Sequence, residues 1–209
     1  MAGRFISFEG GEGSGKSTQA RLLANALQTR NQSVVLTREP GGTGGAEAVR
    51  QLLVTGDPDR WTPWAEACLV NAARADHVAR VVRPALDRGD WVICDRYVDS
   101  TRAYQGAGKG LVDAELCALH GQVTNNLWPD TTIVMMIDAT LGLRRAAARV
   151  GSHNIDSEAR FEAHSAAFHA RVAGFFNHLA IAEPARCHGF DADQSADALA
   201  QQILATVWR

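Results

Sequence analysis

The chain has 209 residues, of which 46% are hydrophobic and 21% are charged, and its formal net charge is -2. This length and composition predict one globular domain with a sizeable core. The near-neutral balance argues against a nucleic-acid binder or a membrane-surface binder, because such proteins are usually basic. The four cysteines lack the spacing of a zinc site or a disulfide framework. With neither a signal peptide nor a membrane-length apolar stretch, we expect a cytoplasmic protein.

Short β-branched segments alternate with longer helical segments along the chain. Strands are predicted at 4–10, 33–40, 91–97, 131–139 and 185–192, and helices near 16–30, 45–55, 64–88, 112–127, 140–149, 158–182 and 195–208. Strands separated by helices indicate βαβ units and a parallel sheet that is covered on both faces. The sequence therefore predicts a three-layer α/β fold, with a central parallel sheet of five strands flanked by helices.

The stretch FEGGEGSGKST, residues 8–18, lies between the first predicted strand and the first helix, and it contains the pattern G-x-x-x-x-G-K-[ST]. Glycines in this setting let successive backbone N–H groups turn inward around a phosphate, as in P-loop NTPases. The lysine reaches the β- and γ-phosphates, and the following hydroxyl is placed to bind Mg²⁺. We therefore predict a nucleoside triphosphate site made of Gly10, Gly11, Glu12, Gly13, Ser14, Gly15, Lys16, Ser17 and Thr18. No N-K-x-D sequence follows, which weakens the alternative of a GTPase switch.

Charged side chains follow several of the predicted strands. The segment TREPGG places Arg38 and Glu39 at one strand end, and DRYVDSTRAYQG places Asp95 and Arg96 at the next, while Glu9 ends the first strand. The carboxyl ends of parallel strands meet at one edge of the sheet, beside the P-loop. Two arginines beyond the P-loop lysine exceed what one triphosphate needs, which indicates a second phosphate on an acceptor. The alternative is that each pair is a structural ion pair.

Arg74 interrupts an apolar stripe in the helix predicted at 64–88, where Val70, Val78 and Val82 share its face at steps of four. One interpretation is that its stem packs in the core while its charged head reaches water. The other is that its guanidinium lines a pocket and donates to a neutral acceptor, such as a base carbonyl.

The polar segment 150–159 lies between two predicted helices, and we interpret it as a mobile excursion that forms a lid around 142–160. Arg149 and Arg160 border this segment. If it folds over the triphosphate, these arginines can stabilise the charge that moves between two nucleotides. For Arg149, a solvated basic helix face is the alternative. Phe161 and Phe168 belong to an apolar stripe that we interpret as core.

Four segments, FEGGEGSGKSTQ, TREPGGT, DRYVDSTRAYQG and RFEAHSAAFHARV, together resemble bacterial thymidylate kinases from about residue 4 to residue 180. The resemblance implies ATP-dependent phosphorylation of dTMP to dTDP with Mg²⁺, for dTTP biosynthesis, in a cytoplasmic homodimer of the P-loop fold. It implies the dTMP-binding residues Glu9, Arg38, Glu39, Pro40, Val70, Arg74, Arg96, Ser100, Thr101, Tyr104 and Gln105. It further implies metal binding by Ser17, Glu39 and Asp95, and catalysis by Lys16, Arg96, Glu12, Arg149 and Arg160.

Within that set, the resemblance assigns the dTMP phosphate to Arg38 and Arg96 and the thymine O4 to Arg74. Tyr104 matches a residue that crowds a ribose 2′-hydroxyl and so favours deoxynucleotides. Glu12 stands where some family members carry a P-loop arginine, so the catalytic arginine is expected to come from the lid.

Two positions depart from the family pattern. Val70 stands where the family usually has a phenylalanine that stacks on thymine, and Ala159 stands where the lid usually has an aspartate. Stacking on an aromatic ring contributes about 1 kcal/mol. Two alternatives therefore stay open: another P-loop nucleoside monophosphate kinase with relaxed base selectivity, and a nucleotide-binding regulator with weak transfer activity.

Overall fold

A computed structural model describes residues 3–149 and 159–208, with side chains over 3–148 and 160–208. Five strands form one parallel sheet in the order β2-β3-β1-β4-β5. Their bounds are β1 (Arg4–Gly10), β2 (Val34–Arg38), β3 (Trp91–Asp95), β4 (Thr131–Met136) and β5 (Cys187–Asp191). The five-stranded parallel sheet predicted from the sequence is thus confirmed, and the predicted strands extend beyond the observed ones by up to three residues.

Ten α-helices lie within the described residues. They are α1 (Lys16–Gln28), α2 (Gly44–Val54), α3 (Pro63–His77), α4 (Arg83–Asp87), α5 (Val98–Thr101), α6 (Asp113–Thr124), α7 (Ala139–Arg149), α8 (Ala159–Glu162), α9 (Ala166–Ala182) and α10 (Ala196–Val207). A π-helical segment, Val78–Val82, joins α3 to α4, and a second one, Arg102–Gly108, continues α5. None of the helices in the described ranges is long and apolar enough to cross a membrane.

The helix predictions differ from the structure at two places. The helix predicted over 158–182 is divided into α8 and α9, because the Ser165 hydroxyl accepts a hydrogen bond from the backbone N–H of Phe168 and starts a new helix. The helical run 98–108 after β3 was not predicted, since its composition is that of a loop. The predicted lid overlaps α7 and α8 at its two ends, and its central part, 150–158, lies outside the described residues.

Apolar side chains of each strand alternate between the two faces of the sheet. On one face, Ile6 and Phe8 pack with α1 and α10, whereas on the other face Val134 packs with the phenylalanines of α9. Phe5 joins a third cluster beneath the α3 to α4 run. This packing makes the three layers and fixes the strands side by side, so that the carboxyl ends of β1, β2 and β3 lie at one edge.

Candidate active site

The P-loop connects the central strand β1 to helix α1. The helix begins at Lys16, directly after Gly15 in a left-handed conformation with φ 87°. Among the described residues no side chain caps this N-terminus, whereas hydroxyls of Thr43 and Ser195 cap α2 and α10. The first N–H groups of α1 therefore point toward the site without an intrahelical partner, and such groups bind phosphate oxygens.

Two glycines show why the loop needs its glycine pattern. Gly13 has φ 67°, and a Cβ there would collide with the backbone carbonyl of Gly142 in α7. At Gly15, a Cβ would meet nothing within 4 Å. The loop is therefore clamped against α7 on one side and open on the side where a nucleotide would lie.

Lys16, Ser17 and Asp95 lie together in the open cleft along the P-loop. The Lys16 ammonium donates to the Gly11 carbonyl at 2.8 Å, and the Ser17 hydroxyl donates to Asp95 Oδ2. The other oxygen, Asp95 Oδ1, is buried and has no hydrogen-bond partner among the described residues. An orphaned carboxylate oxygen beside a hydroxyl fits Mg²⁺, which is held by one or two carboxylates together with substrate phosphates. The described residues contain no cluster of three or more His, Cys, Asp or Glu, so phosphate oxygens and waters would complete such a site.

Glu39 was expected to bind the metal, and both of its carboxylate oxygens contact protein side chains. Its Oε2 accepts from Arg74 Nε at 2.7 Å, and its Oε1 is 2.9 Å from His77 Nδ1. Burial opposes ionisation of this carboxyl, but the positive charge of Arg74 and the hydrogen bond to His77 outweigh burial and lower its pKa. One oxygen of Glu39 thus holds Arg74, and the other contacts His77.

A second cavity adjoins the cleft. Its lining comprises Glu39, Pro40, Val70, Arg74, Arg96, Tyr97, Ser100, Thr101, Tyr104, Gln105 and Phe161. The structure thus brings together the residues expected to bind dTMP, except Glu9 and Arg38. Glu39 and Arg96 line both cavities, so the two sites share a wall.

The structure excludes one of the two interpretations of Arg74, the one in which its charged head reaches water. The side chain is 1% exposed, so it does not reach water. Besides its bond to Glu39, it donates to the Tyr97 carbonyl at 3.1 Å and to Thr101 Oγ1 at 3.0 Å, and Asn71 Oδ1 lies 3.3 Å from its Nη1. The guanidinium is fixed as a donor in the wall of the second cavity.

Arg96 and Glu12 connect the two cavities. Arg96 has the left-handed φ of 68°, an uncommon conformation for a non-glycine residue that concentrates at functional sites. Its guanidinium donates to Glu12 Oε1 at 2.9 Å and to the Gly10 carbonyl at 3.2 Å, and Tyr104 Oη donates to the same Glu12 oxygen at 2.6 Å. Burial alone would raise the pKa of Glu12, but the charges of Arg96 and Lys16 lower it to about 2.

The two expected dTMP-binding residues outside the cavity lie on either side of it. Arg38 lines the cleft, with its side chain 40% exposed and its Nη2 3.5 Å from Glu47 Oε2. Glu9 is buried behind the cavity wall, where it accepts from the backbone N–H of Tyr97 at 2.7 Å and from Ser100 Oγ at 2.6 Å. Burial, with a smaller contribution from the charge of Asp99, raises the pKa of Glu9 to about 7.

Arg160 was expected to act as a lid arginine, and its side chain is buried in the structure. Its guanidinium is 1% exposed and lies 2.5 Å from Glu66 Oε2. It also donates to three backbone carbonyls, at 2.7–3.0 Å, those of Leu53, Asp57 and Pro58. These four contacts enclose the guanidinium in a buried cage and anchor α8. Arg149 ends α7, and its side chain lies outside the described part of the chain.

Three residues of the site were missed by the sequence analysis. Phe161 lines the second cavity, although its apolar spacing indicated only core. Glu66 is a fully buried carboxylate behind that cavity, and Arg50 is a buried arginine that lines the cleft and donates to the Pro40 carbonyl at 3.0 Å. A glutamate and an arginine within amphipathic helices carry no sequence signal of such burial, because their partners lie far away along the chain.

A P-loop cleft for a nucleoside triphosphate thus shares an arginine-lined wall with a smaller cavity that contains a buried donor. This arrangement, on a parallel five-stranded sheet, is that of an ATP-dependent nucleoside monophosphate kinase, a phosphotransferase. Over residues 8–203 the chain matches the family described as Thymidylate kinase. The chain belongs to the thymidylate kinase family.

Individual relatives agree with this assignment. The chain is 49% identical to the thymidylate kinase of Caulobacter vibrioides over 96% of its own length and 94% of the relative, and 48% identical to that of Rhizorhabdus wittichii over 98% and 96%. The crystal structure of thymidylate kinase from Ehrlichia chaffeensis is similar with a TM-score of 0.78, 31% identity and 99% coverage of both chains. The likeness extends over the whole chain and is not confined to the P-loop.

Proposed function

We propose that this chain transfers the γ-phosphoryl group of ATP to dTMP, which gives dTDP and ADP for dTTP synthesis. The observation that carries the proposal is the wall shared by the P-loop cleft and the acceptor cavity, where Arg96 lines both. A guanidinium at this place contacts an acceptor phosphate on one side while its partner Glu12 belongs to the P-loop on the other. Family membership supports the same reaction.

Catalysis by these residues is positioning together with electrostatic stabilisation. The uncapped N–H groups of α1 and the Lys16 ammonium hold the donor phosphates, and Lys16 shifts from the Gly11 carbonyl to the phosphate oxygens when ATP binds. Arg38 and Arg96 bind the phosphate of dTMP. No covalent intermediate on the protein is needed, because the acceptor oxygen attacks the γ-phosphorus directly.

Ser17 and Asp95 are the residues that would hold Mg²⁺ in this site. The ion supplies charge neutralisation on the donor phosphates. The protein's own contribution is to present the Ser17 hydroxyl and the unpartnered Asp95 Oδ1 at the same point of the cleft.

The acceptor cavity is assigned to the nucleoside part of dTMP. Arg74 is the donor for the thymine carbonyl O4, because Glu39 and Thr101 fix its guanidinium in the wall. Ser100 and Gln105 line the sugar and base side of the cavity. Tyr104, whose hydroxyl is committed to Glu12, crowds the place of a ribose 2′-hydroxyl and so favours deoxynucleotides.

We assign the catalytic lid arginine to Arg149, since Arg160 is engaged with Glu66 and backbone carbonyls. Arg149 is the last residue of α7, and Gly142 of the same helix packs directly against the P-loop. The whole chain is proposed to act as one kinase domain with a lid around 142–160.

The proposal extends to the assembly and its location. By its family resemblance, we expect the chain to work as a homodimer in the cytoplasm, where ATP and dTMP are available. Light scattering at micromolar concentration tests the dimer, for which a mass near 45 kDa, twice the chain mass of 22.5 kDa, is expected. A mass of one chain would contradict it.

The transfer itself is tested by chromatography of the nucleotides after incubation with ATP, dTMP and Mg²⁺. Equal amounts of dTDP and ADP are expected. Asp95→Asn, which keeps the size of the side chain and removes its charge, is expected to lower kcat and raise the Mg²⁺ concentration required. Hydrolysis of ATP without dTDP would instead support the alternative of a nucleotide-binding regulator.

A further inference from the structure

The acceptor cavity has an uneven aromatic lining. Helix α3 contributes the aliphatic Val70, whereas the rings that line the cavity beside Tyr97 are those of Tyr104 and Phe161. These two rings meet edge to face, with centroids 5.8 Å apart and an interplanar angle of 89°. Tyr104 is fixed by its hydroxyl bond to Glu12, whereas the Phe161 ring has no hydrogen-bonding group and packs with the Arg160 guanidinium 5.4 Å from its centroid. A planar base gains affinity from an apolar aromatic wall of this kind.

Phe161 reaches the cavity from α8, a helix of only four residues. A helix this short has no stability of its own, so tertiary contacts must hold it. The neighbouring Arg160 supplies them through its bonds to Glu66, to a carbonyl at the end of α2 and to two carbonyls of the α2–α3 connection. The anchor of Arg160 therefore determines where the ring of Phe161 stands.

Glu66 is the centre of that anchor. This carboxylate is 0% exposed, and three groups contact it: Arg160 Nη1 at 2.5 Å, Lys109 Nζ at 2.9 Å and Gln105 Nε2 at 2.8 Å. Gln105 itself lines the cavity. One buried carboxylate on α3 thus orients two parts of the acceptor wall, and its loss would leave buried cations without a counter-charge.

We propose that Phe161 is a specificity-determining residue that supplies the apolar face for the acceptor base, in the place that Val70 leaves without a ring. Glu66 is the positioning residue that holds Phe161 and Gln105 in the cavity wall. This inference rests on the proposed function, because it requires a nucleotide acceptor in this cavity.

The first test compares Phe161→Leu with Phe176→Leu. Both phenylalanines belong to the same core cluster, but Phe176 does not line the cavity, and leucine keeps most of the apolar volume. Phe161→Leu should raise the KM and the calorimetric Kd for dTMP about ten-fold, as loss of a base-stacking surface does. The KM for ATP should stay unchanged. An equal effect of the two variants on dTMP binding would overturn the proposal.

The second test restores a ring from the other side of the cavity. Val70→Phe is introduced into the Phe161→Leu variant, and recovery of most of the dTMP affinity is expected. Absence of any recovery would count against an aromatic requirement of the cavity.

The role of Glu66 is tested by Glu66→Gln alone and together with Phe161→Leu. A positioning role predicts that Glu66→Gln raises the dTMP KM with little change in kcat. It also predicts that the loss of dTMP binding free energy in the double variant is smaller than the sum of the losses in the two single variants. Full additivity in dTMP Kd would overturn the link between Glu66 and Phe161.

The wild-type protein measured in parallel separates this inference from the proposed function. Absence of dTMP-dependent ADP formation in the wild type would defeat the proposed function and the inference with it. An active wild type with an unaltered Phe161→Leu variant would defeat the inference alone.

Discussion

Glu39 and Arg74 form a buried ion pair that joins the end of β2 to helix α3, with Arg74 Nε 2.7 Å from Glu39 Oε2. The pair fixes the Arg74 guanidinium in the wall of the acceptor cavity. His77 Nδ1 contacts the other Glu39 oxygen at 2.9 Å, and His77 Nε2 lies 2.8 Å from Thr37 Oγ1. The imidazole of His77 therefore links the Glu39 carboxylate to Thr37. A chain of three polar contacts thus sets the position of the Arg74 guanidinium in the cavity wall.

Glu39→Gln should weaken both the fold and the acceptor site. Removing one charge of a buried pair costs about 3–5 kcal/mol, because the remaining charge is left uncompensated, and the retained amide oxygen keeps the cost toward the low end. Urea denaturation should show this loss, and the KM for dTMP should rise. The matched control is Glu47→Gln, whose exposed pair with Arg38 is expected to contribute less than about 1 kcal/mol. Equal stability losses in the two variants would contradict the role of Glu39.

Lys16→Met should abolish most of the turnover without unfolding the protein. Its ammonium lies across the P-loop and would be replaced by an apolar group of similar length. Loss of a charge that stabilises the transferring phosphoryl group costs about 3–4 kcal/mol, so kcat should fall by roughly a hundred-fold or more. Calorimetry with dTMP should give an unchanged Kd. A variant that loses dTMP binding but keeps ATP turnover would contradict the donor-site assignment.

Glu9 predicts a specific dependence of stability on pH. Its folded-state pKa, raised to about 7 from 4.5, means that the native protein binds a proton more tightly than the unfolded chain. The stabilisation is full below about pH 4.5 and is lost as the pH rises through about 7. Glu9→Gln, which mimics the protonated form, should therefore gain about 2 kcal/mol relative to wild type between pH 5.5 and pH 8. Urea denaturation at pH 5.5 and pH 8 measures the difference in unfolding free energy between the variant and the wild type. A difference that is the same at both pH values would contradict the raised pKa.

The pKa of Glu12 is shifted in the opposite direction to that of Glu9. Its folded-state pKa of about 2 lies below the usual 4.5, so its stabilisation is present above about pH 4.5 and is lost as the pH falls through about 2. Glu12→Gln should destabilise the protein by the same amount at pH 5.5 and at pH 8. A loss that grows between these two values would contradict the assignment.

Substitution of the two arginines that border the lid is expected to affect different properties, stability for Arg160 and turnover for Arg149. Arg160→Ala should destabilise the fold by about 3–5 kcal/mol, because it leaves the buried Glu66 without one of its cations. Arg149→Ala should leave the urea midpoint unchanged and lower kcat, since we assign Arg149 to the charge that moves in transfer. A stable Arg160→Ala variant with reduced kcat, beside an Arg149→Ala variant of full activity, would reverse the assignment.

The sheet and the donor site could be predicted from the sequence because their signals are local. The P-loop glycines, Lys16 and Ser17 lie within one segment of the sequence. The alternation of β-branched and helical runs predicts the strands, their parallel direction and the helical layers on both faces of the sheet. Arg74 was also detectable, since a charge on an apolar stripe is visible in helical spacing.

The acceptor wall could be predicted only in part, because its remaining residues are defined by distant partners. Glu66 meets Arg160, 94 positions along the chain, and neither residue stands out in its own segment. Phe161 belongs to the core, as its spacing indicates, and only the folded structure shows that it also lines the cavity. Glu39 directly follows β2, and only the folded positions of Arg74 and His77 show that both of its oxygens are engaged by protein groups.

The most direct test of the account is ADP release from ATP and Mg²⁺ with dTMP, dUMP, dCMP, dGMP, AMP or no acceptor. The account predicts a strong preference for dTMP, with a background rate in the absence of an acceptor. Similar rates for several acceptors would show that Arg74 and Phe161 do not select the base, and release that does not depend on any acceptor would contradict phosphoryl transfer to a nucleotide in this cavity.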